Sequence, residues 1–116
     1  MLLYRRNTKN YLTHKEAARA RVHARLAYYN QHYRVPLRKV FIKQHRSRWG
    51  SCSERGNLNF NYKIIFLPPH LQDYIIVHEL CHLKEFNHSA KFWALVAEVV
   101  PNPRGVSKIL RTYASP

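Results

Sequence analysis

The chain has 116 residues, and its 20 Lys and Arg outnumber six Asp and Glu to give a formal net charge of +14. That length suits one domain over 1–116 with a modest core, and no apolar run is long enough to cross a membrane. The opening Met1-Leu2-Leu3-Tyr4-Arg5-Arg6 lacks the apolar stretch of a secretory signal, so a cytoplasmic setting with Cys52 and Cys81 reduced is expected. The charge is lopsided. Residues 1–55 hold 14 Lys and Arg against Glu16 and Glu54, whereas residues 56–116 hold six against Asp73, Glu79, Glu85 and Glu98. Such asymmetry suggests a polyanionic partner, nucleic acid first, the alternative being a merely solvated basic surface.

Thr13-His14-Lys15-Glu16 reads as a capping box, with Leu12 placed to start a hydrophobic staple. The spacing predicts a basic helix over 13–33, ending before Val35-Pro36. Val22, Leu26, Tyr29 and Tyr33 form its buried stripe. Arg21, Arg25 and His32 share another face, free to meet phosphates or simply solvated. Val40–Lys43 is a candidate strand. Arg48–Cys52 and Leu58–Asn61 read as a hairpin turning at Gly56-Asn57, giving a small antiparallel β-sheet. Tyr62 to Leu67 fits either a strand extension or a helical turn. Pro68-Pro69 suits a helix start, since proline fits the first turn. Ala90–Val100 reads as a helix stopped by Pro101, with Phe92, Leu95, Val96 and Val99 as its apolar stripe. Val106 to Tyr113 reads as a last short helix. The order of elements indicates an α+β fold.

The chemistry concentrates in His78-Glu79-Leu80-Cys81-His82, followed by His88. Residues four apart on a helix lie on one face, so His78 and His82 can grip one ion from the same side. Leu71 and Ile75 continue that face down into a core, while Tyr74, Val77, Leu80 and Leu83 widen the apolar surface. Glu79 stands beside the pair, within reach of a metal-bound water. Beyond the helix end, His88 supplies a third nitrogen and leaves a fourth zinc position open for water. Glu98 is the rival third ligand, but it falls off the stripe of its own helix, and imidazole at this spacing is a recurrent zinc arrangement. Hydrogen-bonded core histidines are the bland alternative. Cys81 points away from the metal face. It and Cys52 read as packing residues.

The series Arg48-Trp49-Gly50-Ser51-Cys52, Asn61, Pro68, Asp73 through His82, Asn87-His88 and Phe92-Trp93 resembles the YgjP-like metallopeptidase domain, related to the SprT-like zinc proteases. The resemblance covers roughly residues 36–113 and implies a compact zincin-like catalytic core there. It implies one zinc ion on His78, His82 and His88, and Glu79 as catalytic base; the order of elements adds a C-terminal support helix. Members of that family are usually about twice this length, so the chain resembles a minimal version with a shortened N-terminal part. Metzincins share the histidine spacing, but Glu85 stands where they have glycine, and Met1 is the only methionine.

Three functions follow as expectations. The first is zinc-dependent peptide hydrolysis, with the strand at Trp49–Cys52 free to pair with an extended substrate. Trp49 reads more readily as core, with substrate contact second, and Arg48, Arg21 and Arg25 are candidate substrate or nucleic-acid contacts. Arg46, Arg48, Tyr62 and His70 are candidates for oxyanion stabilisation, none of them assigned. The second is zinc-dependent hydrolysis of a nucleotide phosphoanhydride, although no glycine-rich phosphate loop is present around Gly50, Gly56 or Gly105. The third is a nucleic-acid-binding module with structural zinc, which would leave Glu79 idle.

Overall fold

The computed structural model describes residues 8–113. Helix α1 (Thr8–Tyr33) leads into strands β1 (Val40–Lys43), β2 (Gly50–Cys52) and β3 (Leu58–Asn61). A 3-10 turn (Tyr62–Phe66) precedes α2 (Pro69–His82), α3 (Ala90–Ala97) and α4 (Pro103–Arg111). The chain is α+β, as expected. The segment Met1–Arg6, expected to be no secretory signal, lies outside the described residues.

Helix α1 begins a turn and a half earlier than the sequence suggested, so the capping box does not form. Thr13 Oγ1 instead donates to the carbonyl of Lys9 at 2.8 Å, and Glu16 pairs with Arg19 at 3.5 Å. Leu12 is exposed and staples nothing. Tertiary contacts recruit the extra residues into the helix. The Tyr11 ring meets Tyr62 edge-on, its hydroxyl donates to Ile42 O, and Asn10 Nδ2 donates to Tyr62 Oη. The buried stripe is Ala18, Val22, Leu26 and Tyr33, with Tyr29 only half-buried. The helix ends where Arg34 takes a positive φ of 54° and the Asn30 side chain bonds both N and O of Val35.

The sheet is mixed, not antiparallel. Its order is β1-β3-β2, with β1 parallel to β3 and β2 antiparallel to it. The hairpin forms as expected and turns through Gly56 at φ 89°, a conformation glycine adopts at no steric cost. Strand β1 pairs with the far side of β3, a partner local patterning does not specify. Buried Asn61 pins the connection from β1 to β2: its Nδ2 donates to His45 O and Arg48 O, and its Oδ1 caps the 3-10 turn at Lys63 N.

Helix α2 is the axis of the molecule. Pro69 occupies its first turn, and ten of its 14 residues are buried. Against it lie α1, the sheet and α3, whose Phe92 and Val96 are fully buried. Buried Gln72 links three elements by accepting from Arg21 Nε and donating to Leu67 O and Ile65 O. Helix α3 stops three residues short of the expected Val100, its end tightened by three-residue bonds from Glu98 N and Val99 N. Helix α4 starts at Pro103, three residues before the expected Val106.

Candidate active site

His78 and His82 stand one turn apart on α2, and the chain then turns so that His88, just before α3, comes back over them. The three Nε2 atoms form a triangle with sides of 3.0, 3.0 and 3.2 Å. Three imidazole nitrogens cannot all hydrogen-bond one another at that spacing, because each Nε2 offers either one proton or one lone pair. The sides are close to the separation that ligands about 2.0–2.1 Å from one tetrahedral ion must have. No other group of three or more His, Cys, Asp or Glu among the described residues converges in this way.

Each ring is held from behind. His82 Nδ1 donates to the Glu85 carbonyl at 3.0 Å, which leaves its Nε2 with a bare lone pair. His78 Nδ1 lies 3.0 Å from Tyr74 Oη, which fixes its orientation from the preceding turn. The Phe92 ring stacks on His82 at 4.4 Å, and Trp93 stacks on His88 at 6.0 Å, with Arg104 over the indole. Burial, reinforced by His82 and His88, pushes the His78 pKa down to about 3, and burial also lowers that of His82. Both rings are therefore neutral at pH 7, as metal ligands must be.

Glu79 is 6% exposed and lies against Gly50 of β2, where a Cβ would come within 3.1 Å of both its Cγ and its Oε2. Glycine at this point lets the strand approach the carboxylate. Burial raises the Glu79 pKa to about 8 against a smaller opposing pull from Arg48. A cation nearby would favour the carboxylate again. Two cavities of about 380 and 390 Å³ share Arg48, Gly50, His78 and Glu79, so the cleft runs past the glutamate on both sides.

Among the expected site residues, His78, Glu79, His82, His88, Arg48 and half-buried Trp49 converge on this cleft. Arg21 and Arg25 do not. Arg21 donates to Gln72. Arg25 makes a two-pronged pair with Asp73 at 2.9 and 3.1 Å, and Tyr29 Oη donates to the same carboxylate. Of the row expected to meet phosphates, Arg21 and Arg25 clamp α1 to α2 and His32 pairs with Glu98, and a nucleic-acid role finds no support there. Glu98, the rival third ligand, is half-exposed and 2.7 Å from His32 Nε2. Cys52 lines the cleft, but burial raises its thiol pKa to about 11, so it stays protonated at neutral pH. Cys81 is buried and unbridged. Sequence reasoning missed Tyr74, Gly50, Asn61 and the Glu85 carbonyl as supports. Tyr74, four residues before His78, was legible by helical spacing; the others depend on distant contacts.

The fold and the convergent histidines define a zincin-like metallopeptidase domain. A family model described as YgjP-like, metallopeptidase domain matches residues 4–113, and the chain belongs to that family. The match takes in α1, so the family region begins well before residue 36. Among solved structures, the metallopeptidase zymogen abylysin of Pyrococcus abyssi is similar, with 26% identity and a TM-score of 0.70 over 78% of this chain and 92% of that one. The zymogen jannalysin of Methanocaldococcus jannaschii shares the fold at 22% identity, with a TM-score of 0.59 over 82% and 95% of the two chains. No curated protein matches the chain. No helix among the described residues is long and apolar enough to cross a membrane.

Proposed function

We propose that the chain is a zinc-dependent peptidase in which His78, His82 and His88 hold one ion through Nε2 and Glu79 is the general base. The observation that carries this reading is the Nε2 triangle, with sides of 3.0–3.2 Å, beside a buried carboxylate in a shared cleft. The donor set fits zinc: three neutral imidazoles leave a fourth position open. When bound, such an ion polarises a peptide carbonyl and lowers the pKa of water. The chain supplies the remaining steps. A Glu79 carboxylate oxygen takes a proton from the attacking water and returns it to the leaving nitrogen. The Glu85 carbonyl holds His82 in the tautomer that frees Nε2, and Tyr74 orients the His78 ring through Nδ1. Strand β2 lies along the cleft at the edge of the sheet, where an extended peptide has room to pair. The phosphoanhydride reading has less support, since the sequence around Gly50, Gly56 and Gly105 forms no glycine-rich phosphate loop.

The test is cleavage of an unfolded protein by the zinc-loaded chain beside Glu79→Gln. The variant is expected to keep its metal and to lose at least about a hundredfold in rate, the scale of general-base catalysis. Undiminished cleavage in the variant would remove Glu79 as the base. Nucleoside triphosphate hydrolysis without peptide cleavage would overturn the peptidase reading.

A further inference from the structure

The cleft has two halves of different chemistry. The half that contains the imidazoles is bounded by Ser51, Cys52 and Phe86. The other half, a cavity of about 380 Å³ beyond Glu79, is lined by Arg48 and Arg111 along with Trp49, Ile75, Leu110 and Tyr113. Among the described residues, Glu79 is the only acidic one lining it, and that carboxyl group is buried against Gly50. Neither guanidinium has a hydrogen-bond or ion-pair partner among the described residues. This is unlike Arg19 and Arg25, which are paired with Glu16 and Asp73.

Two guanidiniums from separate elements, one before β2 and one at the end of α4, neither held in an ion pair among the described residues, therefore border one cavity beside the reacting centre. A guanidinium presents parallel N–H donors that match a carboxylate in geometry as well as charge. We propose that this cavity is a substrate subsite for a peptide carboxylate, with Arg48 and Arg111 as specificity-determining residues. The carboxylate is an Asp or Glu side chain near the scissile bond or the free C-terminus of the substrate. The apolar lining suits the carbon atoms that carry it. The inference rests on the peptidase reading, because the cavity gains its meaning from its continuity with the Glu79 cleft.

A net charge of +14 draws any anion, so the test must separate the pocket from the general field. The zinc-loaded chain would be given three peptides: an amidated one with an internal Glu, the same peptide with Gln, and the Gln peptide with a free C-terminal carboxylate. At least one carboxylate peptide is expected to exceed the amidated Gln peptide by about tenfold in kcat/KM, mainly through KM. Which arm gains identifies the source. Arg111→Gln should collapse the preference. Lys39→Gln removes the same charge from the exposed approach to β1 and should preserve it. Equal turnover of all three peptides, or equal loss in both variants, would overturn the subsite. Should no peptide be cleaved, the same peptides are titrated onto the Glu79→Gln chain by tryptophan fluorescence. Carboxylate-selective binding lost in Arg111→Gln supports the subsite even though the peptidase reading fails. Unselective or absent binding rejects it.

Discussion

At the scale of single residues, the site depends on tautomer control. His82 is committed by the Glu85 carbonyl, since a carbonyl can only accept. Among the described residues His88 has no such anchor, and it relies on ring contacts with Phe92 and Trp93. Its Nε2 nevertheless completes the triangle, while Glu98 is occupied with His32 on the surface. His88→Ala is therefore expected to weaken zinc binding by at least about tenfold, with Glu98→Ala near wild type. Competition against a chromogenic chelator measures both, and equal affinities in the two variants would count against His88 as ligand. Glu79 and the two helical histidines were legible in the sequence because helical spacing alone brings them together. The role of Gly50 was not, since its contact with Glu79 spans 29 residues and becomes visible only when β2 meets α2.

At the scale of elements, sequence patterning worked where the determining contacts are local. Pro68-Pro69 marked the start of α2, and Gly56 marked the hairpin turn. It failed where partners are distant. The direction of β1 follows from its pairing with β3, across a connection held by Asn61. The basic row on α1 looked solvated because Gln72 and Asp73 lie about 50 positions further along the chain. The Arg25–Asp73 pair is only 24% and 20% exposed and shares its carboxylate with Tyr29. Proximity of Asp73 raises the Arg25 pKa, and burial raises that of Tyr29. Asp73→Asn is expected to cost about 1–2 kcal/mol, above the usual exposed pair because the geometry is two-pronged and partly buried. Urea unfolding of the metal-free chain measures this. A change below a few tenths of a kcal/mol would show that the clamp is dispensable.

At the scale of the whole molecule, the metal site and the stability of the fold are coupled through pH. The His78 pKa falls from 6.5 to about 3 on folding, so its contribution is complete above about 6.5 and fades as pH drops toward 3. Glu79 moves the other way, from 4.5 to about 8, so its contribution is complete below about 4.5 and fades as pH rises through 8. In chelator, the two trends oppose each other, and the melting temperature should fall toward both the acid and the alkaline ends of this range. Glu79→Gln has no buried charge to form and should lose the alkaline fall. It would gain on the order of a few kcal/mol over wild type above pH 8. Thermal melts of the two metal-free chains from pH 4 to 9 test this, and parallel alkaline slopes would contradict it.

The sequence by itself determined the helices, the hairpin, the α+β class and the spacing of His78, Glu79 and His82, because each is written within a few turns or one hairpin of chain. Only the tertiary structure decided the mixed sheet, the engagement of Arg21 and Arg25, the return of His88 over α2 and the glycine contact that seats Glu79. Those features depend on which surfaces of a small core meet, and packing between distant segments leaves no periodic trace in either of them.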